Sequence, residues 1–112
     1  MQSDNRLEQL LKFLKQEPDD PFLQYALATE HLRRNKLELA LFYYESLVDK
    51  HPSYLGTYYH LGKLYEQLDR QADAIKTYQT GMQLAKDTGD LHAFSELQNV
   101  YNAIIRLDYE DD

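Results

Sequence analysis

The chain of 112 residues has no cysteine and no tryptophan. The first absence excludes disulfides, thiolate nucleophiles and cysteine-ligated zinc together. Four glycines and three prolines are too few for a chain of many short strands and tight turns. No apolar run approaches the roughly 20 residues that cross a bilayer. The polar start Met1-Gln2-Ser3-Asp4-Asn5 carries no secretory signal, so a cytoplasmic location without membrane attachment is expected. Basic residues are in the minority. Twelve lysines and arginines face nineteen acids, and the net charge of −7 disfavours non-specific contact with nucleic acid or anionic lipid. What remains, 43% hydrophobic and 28% charged, is the composition of one ordinary globular domain. Ten tyrosines are the one excess, and they need a reason.

The residues that carry chemistry are scattered. His31, His51, His60 and His92 form no i, i+4 pair and no H-E-x-x-H, so no metal site is expected. Gly56, Gly62, Gly81 and Gly89 build no phosphate-cradling loop. Ser3, Ser46, Ser53 and Ser95 lack an elbow motif. The paired acids Asp19-Asp20 and Asp111-Asp112 suit capping and solubility rather than acid–base work. Neither catalytic residues nor a cofactor is expected. The basic cluster Arg33-Arg34-Lys36 reads as a solvated helix end in preference to a phosphate or RNA contact.

The chain does, however, repeat itself. Pro18 and Pro52 lie thirty-four residues apart, and the same interval pairs Tyr25 with Tyr59, Leu27 with Leu61 and Ala40 with Ala74. It also pairs Leu41 with Ile75, Tyr44 with Tyr78 and Val48 with Met82, while Leu7, Leu10 and Leu14 fall over Leu41, Tyr44 and Val48. Within each copy the period is helical, as in Leu7, Leu10, Leu11 and Leu14. Asp20-Pro21 is a helix cap followed by proline at the first helical position, and Gly89-Asp90 is a stop followed by a new cap. Ser53 is expected to cap another helix, and Asn35-Lys36 and Asp69-Arg70 to form turns. The segmentation predicts six helices at about 4–17, 21–34, 37–50, 54–68, 71–86 and 90–107, with no strand.

These residues resemble the tetratricopeptide repeat family, whose signature sets an aromatic, a leucine–small pair and another aromatic on one helix, then alanine, aromatic and proline on the next. Tyr58, Leu61, Gly62, Tyr65, Ala74 and Tyr78 match it, with Lys86 in place of the proline. Leu27, Ala28, Ala40, Tyr44 and Pro52 form a degenerate copy with Gln24 and His31 in its aromatic places. The resemblance implies an all-α fold of antiparallel helix hairpins stacked as a short right-handed solenoid. It implies one domain over 1–112: a half-repeat helix at 4–20, repeats at 21–54 and 55–88, a capping helix at 90–107 and an acidic tail at 108–112. Phe94, Leu97 and Tyr101 match a following first helix shifted by two residues, as if the helix before it were longer. Gly62 is expected to admit the paired helix closely, and Tyr44, Tyr58, Tyr65, Tyr78 and Tyr101 to fill slots between helices.

The resemblance also implies a concave face lined by the first helix of each pair, where a peptide or another protein binds without catalysis. It would present Phe22, Tyr25, Thr29, Leu32 and Arg33, then Gly56, Tyr59, Lys63, Glu66 and Gln67, then His92, Ser95, Asn99 and Asn102. Phe22 and Tyr25 either face this groove or tuck against the first helix to compensate for Gln24. The two-carboxylate clamp that holds chaperone C-termini in some members is not rebuilt, since Tyr25, Thr29 and His60 stand where it carries lysine and asparagines. A chaperone tail is therefore not the expected partner. Apolar residues at the ends, Leu10, Leu11, Phe13 and Leu14 in one helix and Ile104, Ile105 and Leu107 in another, make homo-oligomerisation the alternative.

Overall fold

A computed structural model describes residues 2–110, with side chains placed for 5–106. Six helices follow one another: α1 (Gln2–Gln16), α2 (Pro21–Arg33), α3 (Leu37–Lys50), α4 (Gly56–Gln67), α5 (Gln71–Thr88) and α6 (Leu91–Glu110). No strand occurs among the described residues. The chain divides into two compact units, Met1–Tyr54 holding α1–α3 and Leu55–Asp112 holding α4–α6.

Three of the turns are one device. A helix that ends in the left-handed region brings the next N–H back to the carbonyl five residues earlier. Asn35 and Asp69 both sit at φ 60°, and Gly89 at φ 77°. The bonds that close are Lys36 N to His31 O (2.9 Å), Arg70 N to Tyr65 O (2.8 Å) and Asp90 N to Ala85 O (2.9 Å). Asparagine, aspartate and glycine are the residues that enter this region at low cost. At the front ends, Asp20 Oδ1 accepts from Phe22 N at 2.9 Å ahead of Pro21, and Asp90 Oδ1 accepts from Ala93 N at 3.0 Å.

Helix boundaries differ from expectation in α4, α5 and α6. Ser53 caps nothing: α4 starts at Gly56 behind Leu55, without a side-chain cap. The His51–Tyr54 segment instead closes as a turn, Tyr54 N donating to His51 O at 3.0 Å. In α5, Lys86 cannot stop a helix as proline would, so the helix runs on to Thr88 and ends at Gly89. α6 continues through Glu110, which makes the first part of the expected acidic tail helical. Asp111, Asp112 and the side chain of Leu107 lie outside the described residues.

In the first unit α2 packs between α1 and α3 and buries Leu23, Ala26, Leu27 and Ala28. α3 returns Ala40, Tyr44 and Leu47, all fully buried. The two irregular signature places are accommodated differently, one by a hydrogen bond and one by ring stacking. Gln24 is buried and donates from Nε2 to the Pro18 carbonyl at 2.8 Å. His31 stacks on Tyr43, with centroids 5.5 Å apart and planes 9° from parallel.

In the second unit the α4–α5 pair is built on two glycines. A Cβ on Gly62 would fall on Cε1 of the Tyr78 ring, with Cδ1 and Cζ each 2.6 Å away. A Cβ on Gly81 would meet the Tyr58 Cβ at 2.6 Å. The space that Gly62 leaves is thus taken by a side chain, not by the facing backbone. Tyr78 and Tyr58 are buried in these positions, and Leu97 of α6 closes over Gly81. Of the tyrosines expected between helices, Tyr44, Tyr58, Tyr65 and Tyr78 are core, whereas Tyr101 is half-buried, its hydroxyl accepting from Gln79 Nε2 at 3.2 Å.

Candidate functional site

On α2 the residues 22, 25, 26, 29, 30 and 33 recur at helical spacing and form one stripe. With Arg6 of α1 they line a surface cleft of about 360 Å³. Asp20 and Pro21 fix where α2 begins and so which residues enter the stripe.

One end of the cleft is aromatic. Phe22 is 58% exposed, so it stays out of the core. Tyr25 is half-buried, its ring 6.3 Å from Tyr44 and 5.7 Å from Tyr54. Thr29 shares a hydrogen bond of 2.9 Å with the Tyr44 hydroxyl, which ties this groove residue to the core beneath it.

The other end is charged, around a group that sequence inspection did not single out. Glu30 has a side chain 1% exposed; its Oε2 accepts from Arg33 Nη2 and Arg34 Nε, both at 2.9 Å, and Oε1 faces Arg6 Nε at 3.2 Å. Burial alone would raise its pKa. The hydrogen bonds from Arg34 and Arg33, with their charge, outweigh burial and hold the carboxylate below its ordinary value. Arg33 and Arg34 are therefore not simply a solvated helix end. The spacing Glu30, Arg33, Arg34 carried a signal, because i, i+3 and i, i+4 partners share a helix face. The part played by Arg6 had none, since it arrives from another helix.

In the second unit the residues expected at the binding face lie on two helices, Tyr59, Lys63 and Glu66 on α4 and Asn99 on α6. Tyr59 is half-buried with its ring edge-on to His60 at 5.6 Å. Glu66 accepts a hydrogen bond of 2.5 Å from the Tyr78 hydroxyl and lies 3.9 Å from Lys63 Nζ, so it anchors the core as well as the surface. Lys63 and Asn99 are exposed. A second cleft of about 270 Å³, lined by Gln79, Met82, Gln83, Lys86, Phe94 and Tyr101 between α5 and α6, went unmarked by the repeat pattern. Among the described residues no group of histidines and acids is placed to hold a metal, and no helix is long and apolar enough to cross a membrane.

The buried titratable groups set a pH window. Burial, then the cations Lys36 and Arg34, push His31 below its usual value, and burial does the same to His60. Burial pushes the Tyr44 phenol up to about 12, and raises Tyr25, Tyr54, Tyr58 and Tyr78 as well. A histidine with a depressed folded pKa contributes stability above its unfolded value of about 6.5, which is lost as pH falls through it. A tyrosine with a raised folded pKa contributes stability below its unfolded value of about 10, which is lost as pH rises beyond it. Urea midpoints measured across pH should be highest between about 7 and 10 and fall on both sides. A midpoint still climbing above pH 10 would contradict the burial of these phenols.

Residues 21–105 match the family model described as "Bacterial transcriptional activator domain". The crystal structure of a tetratricopeptide repeat domain protein from Salinibacter ruber is 50% identical, with a TM-score of 0.76 over 79% of this chain and 98% of that one. The solution structure of a protein from Bordetella parapertussis is 25% identical, with a TM-score of 0.78 over 91% and 89%. The TPR2B domain of yeast Sti1, solved in complex with pHsp70, is 13% identical and shares the fold alone, with a TM-score of 0.84 over 95% and 85%. Among curated proteins none matches.

Proposed function

This chain belongs to the bacterial transcriptional activator domain family, a tetratricopeptide-type helical domain, and from that premise we propose that it is a non-catalytic cytoplasmic adaptor or scaffold that binds a peptide segment of another protein. Its binding surface is the α2 stripe of the first unit, on the first helix of a helix pair. The observation that carries the reading is the cleft on α2, where exposed Phe22, Tyr25 and a guanidinium-rich end line one depression. Exposed aromatics supply contact area at low entropic cost and are frequent hot spots. The pHsp70 complex of the yeast domain supports a protein partner for a fold of this kind. With Tyr25 and Thr29 in clamp positions, the segment is not a chaperone tail of the two-carboxylate type.

A peptide-display selection tests the reading. Peptides enriched on the wild-type chain should lose about tenfold in affinity on Phe22→Ala, the scale of one hot-spot side chain. Because Phe22 is exposed, thermal melting of that variant should move by little. Selection that enriches nothing on a folded chain removes the reading. The alternative, self-association, draws on the exposed Leu11 and Phe13 of α1, and sedimentation as a single monomer at every concentration excludes it.

A further inference from the structure

Glu30 sits at the centre of three arginines. Two of them, Arg6 and Arg33, are mostly exposed and share that one carboxylate, in a chain whose net charge is −7. Both Glu30 oxygens are already engaged. A guanidinium has five N–H donors in a fixed fork. Arg6 meets Glu30 through Nε and Arg33 through Nη2, and their side chains are 65% and 58% exposed, so each retains donors that a ligand can reach. The buried carboxylate thus acts as a post that holds two exposed guanidiniums in place before anything binds, which lowers the ordering cost of a third party.

Resting on the peptide-binding reading above, we infer that the α1–α2 cleft selects an extended acidic segment, a side-chain carboxylate seated on Arg6 and Arg33 and an apolar residue on Phe22 and Tyr25. Phe22 and Arg33 are about 16 Å apart along α2 at 1.5 Å per residue. That span is about five residues of an extended chain at 3.3 Å each, which sets the spacing between apolar anchor and acid. The chain's own negative charge does not cancel the preference. Beyond about 8 Å it is screened at physiological salt, whereas the two guanidiniums are in contact. The clamp that reads a C-terminal carboxylate uses other positions, so the acid can lie inside a sequence.

The probe is a fluorescein-labelled peptide, amidated at its C-terminus, with a leucine followed five residues later by two glutamates. Versions with glutamine and with lysine in place of the glutamates accompany it. Fluorescence anisotropy should give the acidic peptide about tenfold tighter binding than the glutamine peptide, a gap that narrows as salt is raised. Arg33→Gln and Arg6→Gln should each remove most of that gap, and Arg6→Lys should retain part of it. The salt series on the wild-type chain reads the same preference without relying on any variant to fold. Equal affinity for the acidic and glutamine peptides overturns the charge inference while the peptide-binding reading stands, and so does tightest binding of the lysine peptide. If none of the probes binds and the display selection also yields nothing, both fall together.

Discussion

Gly62→Leu is expected to leave the α4–α6 unit without a cooperative transition at room temperature. The competing terms are easily ranked. Replacing a mid-helix glycine raises helix propensity by up to about 1 kcal/mol. Against it stands the Tyr78 ring, fully buried, held by its bond to Glu66, and already in the volume a Cβ would need. Overpacking a tight core costs about 1–3 kcal/mol when side chains can adjust, and occasionally more. Here the clash begins at the first atom, and the ring is fixed at both its edge and its hydroxyl, so the cost should exceed about 4 kcal/mol, the exceptional range for one substitution. Near-ultraviolet circular dichroism and urea titration read it. A companion variant, Gly62→Ala with Tyr78→Leu, removes the ring and should recover a cooperative transition. A wild-type urea midpoint for Gly62→Leu would mean that the helix pair has room to part, contrary to the geometry.

Glu30→Ala is expected to cost about 3 kcal/mol, at the low end for removing one partner from a buried ion pair. It falls there because the arginines left behind reach water: Arg6 and Arg33 are mostly exposed, and only Arg34 is largely covered. The loss should also depend on pH in a way that a simple cavity would not. The folded carboxylate has a pKa below its unfolded value, so its contribution is present above the unfolded value and disappears as pH falls through the folded one. Urea midpoints of wild type and variant should therefore differ most near neutrality and converge in acid. A gap that stays constant down to acid pH would assign the loss to packing alone.

Much of the helix pattern was legible because it rests on local chemistry. Asp20-Pro21 and Gly89-Asp90 declare helix ends through their own side chains and backbone preferences, and Asn35 and Asp69 mark turns because few other residues accept φ 60°. Ser53 misled for the same reason: it is a good cap by type, but the His51–Tyr54 turn leaves it outside α4. The resemblance named 22, 25, 29 and 33 together, and their helical spacing puts them on one stripe of α2. The electrostatic centre of the site was not legible. A glutamate on a helix among arginines looks like any solvated surface triad until a third arginine from α1 covers it. Gly81 was passed over because nothing in the sequence marks the other side of its contact, the Cβ of Tyr58.

The two glycine–tyrosine contacts run in opposite directions: α4 lends its glycine to α5's tyrosine, and α5 lends its glycine to α4's. A slip of one helix past the other by a single turn would drive both rings into ordinary side chains at once. The pair therefore works as a keyed joint, with one permitted phase. Its members are also bound in their histories, because a larger residue in either socket is tolerable only after the ring opposite has been lost.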